Sequence, residues 1–143
     1  MPAPRSFGDL EFRRIFMLHA AVVYAKELER MVAFYAALGL EVEEKLPGDY
    51  AVLTAPQAEL SLVQIPEPIA SRIEISDPAQ IRERTPIKLA FVVPSIDRAL
   101  DAAESKGGRV HAGSKRWEFR GYRIQDAVDP EGNVYQLRER SDA

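Results

Sequence analysis

The chain has no cysteine among its 143 residues. Disulfides, zinc–thiolate centres and thiol nucleophiles are excluded on that ground, and a reducing, cytoplasmic setting is the expectation. It also has no long apolar run. The longest, Ile15 to Val23, is broken by His19 and falls far short of the roughly 20 residues that span a bilayer. Met1-Pro2-Ala3-Pro4-Arg5-Ser6 lacks the order of charge, apolar stretch and cleavage site of a signal peptide. No membrane partner is expected. Nor is there a basic excess: 19 Lys and Arg stand against 22 Asp and Glu, for a formal charge of −3. A nucleic-acid partner is therefore not expected. The short basic cluster Lys115-Arg116, with Arg120 and Arg123, is interleaved with aromatics and reads as a solvated or pocket-edge patch. What remains is an ordinary globular balance, 46% hydrophobic and 29% charged, at a length suited to one domain with its own core.

The chain repeats itself. Leu28, Glu29 and Arg30 correspond to Ile96, Asp97 and Arg98, a displacement of 68 residues. Gly39 corresponds to Gly107, and Val42 to Val110, at the same displacement. Each match falls at the same structural event: strand, helix, strand. In the first half His19 to Tyr24 is β-branched and apolar. Leu28, Met31, Val32 and Tyr35 then follow helical spacing, and Gly39 closes the helix. In the second half Ile87 to Val93 is the strand and Ser95 the N-cap. Ile96, Ala99, Leu100 and Ala103 form the helical stripe, and Gly107-Gly108 ends it.

Further strands complete each half, at Glu41–Glu44, Tyr50–Thr54 and Glu59–Ile65, then at Tyr122–Val128 and Asn133–Arg138. Ala55 to Ala58 and Asp129 to Asn133 are turns. The pattern predicts an α+β fold of two tandem βαβββ modules forming a cupped mixed sheet. Residues 15–66 form module one, 67–85 a connector and 86–139 module two. Together 15–139 is a single domain, and 1–14 an N-terminal extension. So long a connector is expected to hold a short helix or to wrap a partner. Tyr24, Phe34 and Tyr35 read as core.

These residues resemble the vicinal oxygen chelate superfamily of glyoxalases, bleomycin-resistance proteins and extradiol dioxygenases. The resemblance is carried by Glu27 to Tyr35 with Leu38-Gly39-Leu40, by Ser95 to Leu100, and by Gly121-Tyr122-Arg123 leading into Asp129-Pro130-Glu131-Gly132-Asn133. It covers about Leu18 to Arg138. It implies that the ligands of a metal come from the first and last strands of each module, where the metal acts as a Lewis acid on substrate oxygens.

Carried over position by position, the family's ligand slots fall on Ala20, Lys88, Gln136 and either Glu59 or Leu62. Alanine has no donor atom, and a protonated lysine has no lone pair. A neutral amide is a poor substitute for a carboxylate on a transition metal. His19 neighbours the first slot, but strand alternation turns it away from the cup unless a bulge shifts the register. No cofactor is therefore expected.

Lys88 and Gln136 are expected to share the cavity. Lys88 then pairs with a carboxylate such as Glu59, receives a ligand's carboxylate or phosphate, or serves as a base or Schiff-base nucleophile. Trp117 and Phe119 share a strand face and, with Tyr122, supply rings for a flat ligand or for ordinary packing. The candidate ligand-binding set is Lys88, Gln136, Glu59, Trp117, Phe119 and Tyr122. The leading expectation is a metal-free, homodimeric binding protein of the bleomycin-resistance type, taking a small aromatic or anionic molecule. The alternatives are a metal-dependent lyase, isomerase or dioxygenase using Zn, Ni, Mn or Fe, with His19 and Glu59 as ligands, and a non-catalytic dimeric scaffold or regulatory module.

Overall fold

The structure, a computed structural model, describes residues 16–142. The N-terminal extension assigned to 1–14 lies outside them. Module one runs β1 (Ala21–Ala25), α1 (Leu28–Leu38), β2 (Glu41–Leu46), β3 (Tyr50–Ala55) and β4 (Ala58–Gln64). A one-turn helix, α2 (Glu67–Ala70), opens the connector. Module two runs β5 (Ala90–Val92), α3 (Ile96–Glu104), β6 (Arg109–Val110), β7 (Trp117–Phe119), β8 (Tyr122–Val128) and β9 (Val134–Arg140).

Each module makes its own mixed sheet. The orders are β1-β4-β3-β2 and β5-β9-β8-β6, with β7 also on β8. In both, the first strand lies parallel to the last, as a helical crossover requires. β6 and β7 are two pieces of one edge strand. Both pair antiparallel with β8, at its opposite ends. Within the chain, then, the strands form two sheets rather than one continuous cup.

The helices join the modules. Leu28, Met31, Val32 and Tyr35 are buried on α1, and Ile96, Ala99 and Ala103 on α3, at the spacing that puts one face inward. They meet Ala25, Ala51, Leu53, Leu60 and Leu62 from the first sheet and Ala127, Tyr135 and Leu137 from the second in one core. Phe34, Tyr35, Phe91 and Tyr135 pack ring against ring there, with centroids 4.9 to 6.3 Å apart. Tyr24 does not join them. It is 64% exposed, because β1 turns Ala21, Val23 and Ala25 inward and leaves Val22 and Tyr24 on the other face.

The same kind of cap starts both helices. Gln64, at the end of β4, accepts from the Leu28 backbone N–H at 3.1 Å. Glu139, near the end of β9, accepts from Ile96 N–H at 2.8 Å. Each satisfies a donor that the first helical turn leaves without a partner. Ser95 Oγ adds the expected N-cap, accepting from Arg98 N–H at 3.2 Å.

Candidate functional site

Asp129 to Asn133, the strongest motif of the sequence, is buried and structural. Asp129 accepts from Tyr35 Oη at 2.7 Å, from Asn133 Nδ2 at 2.8 Å, and from the backbone of Glu131 and Asn133. Burial raises the Asp129 carboxyl above its ordinary value, while the hydrogen bonds from Asn133 and Tyr35 pull it down. Burial first, and then the Asp129 charge, push the Tyr35 hydroxyl well above the usual tyrosine value. Glu131 accepts from Lys26 N–H and Glu27 N–H, both at 2.9 Å, and so ties the second module's hairpin to the entry of α1. Gly132 has φ of 90°, and a Cβ there would collide with the Gln80 carbonyl. The connector thus lies directly over this turn, held by Arg82 N–H to Gly132 O at 2.9 Å. The cleft beside it, lined by Lys26, Glu74, Ser76, Gln80, Arg82 and Glu131, is a seam between connector and module.

The candidate side chains of the sequence lie instead toward the open faces, the sides of the two sheets turned from the helices. On module two, register builds this face in rows. Ala90, Gln136 and Asp126 are cross-strand neighbours. So are Val92, Arg138, Ile124 and Trp117, and so are Arg140, Tyr122 and Phe119. Lys88 Nζ meets Asp126 Oδ2 at 3.0 Å. The Asp126 side chain is largely buried, and its Oδ1 accepts no hydrogen bond among the described residues. Gln136 Oε1 accepts from Arg138 Nε at 3.3 Å and from its terminal nitrogen at 2.9 Å. The Arg138 guanidinium lies 5.9 Å from the Phe119 ring centre, and that of Arg140 lies 5.3 Å from Tyr122. Trp117 and Phe119 are 38% and 52% exposed.

Module one differs. Its open face carries Val22, Tyr24, Ser61, Val63 and Glu59. Leu62 is fully buried against the helices, so only Glu59 of the two alternatives reaches this face. His19 does not turn away as alternation demanded. Its Nε2 lies 3.4 Å from Glu59 Oε2. The reason is local: residues 16–20 precede β1 and follow no strand register. Ala20 sits at that same entry.

Lys88, just ahead of β5, and Glu59, on β4, therefore belong to separate modules with separate partners, Asp126 and His19, and do not pair with each other as expected. The residues at the family's metal positions do not fit a metal. Glu59 and His19 are two donors on one module. On the other, Lys88 is neutralised by Asp126 and Gln136 is committed to Arg138. Among the described residues no three His, Asp or Glu side chains gather as a ligand set.

Sequence reasoning missed Asp126, Arg138 and Arg140. The signal was available. Closing the turn at Asp129–Asn133 pairs Val128 with Val134, and counting outward then sets Asp126 against Gln136, Ile124 against Arg138 and Tyr122 against Arg140.

Two βαβββ modules that share a helical core and turn their sheets' other faces outward define the class of fold. The sequence profile of the glyoxalase/bleomycin resistance protein/dioxygenase superfamily matches residues 17–137. The chain belongs to that superfamily. Solved structures agree on the fold. A glyoxalase family protein from Bacillus cereus is 17% identical with a TM-score of 0.67, over 88% of this chain and 95% of that one. A glyoxalase/bleomycin resistance protein/dioxygenase family enzyme from Burkholderia phytofirmans PsJN is 19% identical with a TM-score of 0.62, over 85% and 97%. A bleomycin-binding protein, in complex with bleomycin, is 14% identical with a TM-score of 0.55, over 88% and 100%. No curated protein sequence matches the chain. No helix among the described residues is long and apolar enough to cross a membrane.

Proposed function

We propose that this chain is a metal-free small-molecule-binding protein that takes an aromatic or anionic ligand on the open face of module two. One observation carries the reading. A face that could have been solvated at random instead holds ordered polar rows, Lys88–Asp126 and Gln136–Arg138, beside the exposed rings of Trp117 and Phe119 and the half-buried ring of Tyr122. A few fixed polar groups next to apolar surface are what a ligand site needs. The bleomycin-binding neighbour is a precedent on this fold for binding. A homodimer is part of the reading, since Val22, Tyr24, Val92 and Phe119 are exposed on the open faces and a second copy would cover them. So is a cytoplasmic location, in keeping with the absence of cysteine.

Thermal melting against a library of aromatic acids, amines and neutral aromatics tests the binding. A rise in Tm that is lost with Trp117→Ala supports it, and a flat response across the library overturns it. Sedimentation at micromolar concentration tests the dimer.

The contact between His19 and Glu59 favours a second reading, a metal-dependent lyase, isomerase or dioxygenase with these two residues among its ligands. Elemental analysis of protein purified without chelator separates the two. Near-stoichiometric Zn, Ni, Mn or Fe, lost with Glu59→Ala, would establish the second reading and end the first.

A further inference from the structure

We infer that Arg138 and Arg140 form an oxyanion-recognising row, and that the ligand of module two is an aryl carboxylate or aryl phosphate whose charged group meets them. The inference rests on the binding reading above and names the ligand's chemistry.

Three cations stand on this face, and they are not equivalent. Lys88 already has its carboxylate, Asp126 at 3.0 Å. The two arginines have no carboxylate within ion-pairing distance among the described residues. They are nonetheless held. Two hydrogen bonds to Gln136 Oε1 fix one edge of the Arg138 guanidinium, and Phe119 lies beside it. Beside Arg140 the Tyr122 ring lies 5.3 Å from the guanidinium. Residues 138 and 140 alternate with Glu139, which faces the helix side and caps Ile96, so both arginines project to one face of β9. A guanidinium with one edge engaged keeps its other N–H donors for a planar or tetrahedral oxyanion, bound as a fork. Holding the side chain in advance lowers the entropy lost on binding. Apolar side chains continue the Arg138 row in both directions, to exposed Val92 on one side and across buried Ile124 to Trp117 on the other. A ligand with its charge at Arg138 thus meets apolar side chains on either side of it.

The chain has one tryptophan, so a single indole N–H resonance reports on this face. The test is a titration of 1-naphthoate, 1-naphthyl phosphate and the neutral isostere 1-naphthamide, followed by that resonance. The expected result is that at least one anion binds about ten-fold more tightly than the amide at low salt, a margin that shrinks as salt is added. Which anion gains more distinguishes carboxylate from phosphate. Arg138→Ala should abolish the margin. Arg138→Lys, which keeps the stem and the charge but not the fork, should lose most of it. Lys45→Gln, an equal loss of positive charge on module one, should keep it. Equal binding of amide and anions overturns the arginine row while leaving the binding reading intact. So does a margin that survives in the Arg138→Ala, Arg140→Ala double variant, or one that Lys45→Gln removes. If none of the three probes moves the Trp117 resonance, the arginine row falls, and the ligand library decides the binding reading.

Discussion

Leu62 and Leu137 occupy the last strands of the two modules, and both are fully buried against the shared helices. One residue along each strand the likeness ends. Ser61 looks out among Val22, Val52 and other small or apolar groups, whereas Gln136 stands between Asp126 and Ala90 and holds Arg138. The helix side repeats because both helices need the same thing, an apolar stripe and a cap. The open side is free of that demand, so each module has taken its own chemistry. The edge strands differ as well: β2 is continuous apart from a bulge between Val42 and Glu44, while its counterpart is split into β6 and β7, which brings Trp117 and Phe119 beside β8.

The comparison breaks if the helix sides prove unequal. Leu62→Ala and Leu137→Ala should each cost about 2–5 kcal/mol, the range for emptying a buried leucine site. Urea unfolding followed by circular dichroism should show one shifted transition in each case. Two separated transitions would mean that the modules do not share a core. Glu131→Ala comes next. It leaves the N–H groups of Lys26 and Glu27 without acceptors at the junction of the modules, and about 3 kcal/mol should be lost. The two helix caps sharpen the likeness. Glu139→Ala removes a charged acceptor and the partner of Arg123, 2.8 Å away, and should cost about 2 kcal/mol. Gln64→Ala removes a neutral acceptor and should cost about 1 kcal/mol.

Two smaller effects mark the difference between modules. Glu59→Ala disturbs only a well-exposed contact with His19, which is 73% exposed, and should change stability by less than about 0.5 kcal/mol. Lys88→Ala strands the more buried Asp126 and should cost about 1 kcal/mol. The last distinction is one of pH. Asp129 has no carboxylate counterpart in the hairpin Ala55–Ala58 of module one. Its carboxyl is raised by burial, so the folded chain holds that proton more tightly than the unfolded chain. Its contribution is therefore most favourable below the ordinary carboxylate value. It declines as pH rises toward the raised value, and levels above it. Subtracting the urea stability of Asp129→Asn from that of the parent at each pH should reveal this decline. A difference that rises over the same window would reverse the assignment.

Much of this was legible in the chain. The displacement of 68 residues put Leu28 and Ile96 at the first turn of equivalent helices, and both are buried there. Helical and strand periodicities are local, and the hydrophobic side of each element follows from them without knowledge of its neighbours. The buried turn at Asp129–Asn133 stood out for the same reason, its turn geometry being written in Pro130, Gly132 and Asn133. Tyr24 and His19 were misread at the points where locality fails. Tyr24 has the composition of a core residue but the wrong parity on β1. His19 lies just outside the strand whose alternation was applied to it.

The sequence by itself determined a paired α+β scaffold and the superfamily it belongs to. Only the tertiary structure decided which carboxylate neutralises Lys88, that Leu62 faces the core, that Glu131 ties one module to the other, and that Arg138 and Arg140 have no carboxylate partner on the open face among the described residues. Local chemistry fixes which side of an element is apolar. Which charges find one another depends on strand register and on distances between elements far apart in the chain, and those exist only once the core has closed.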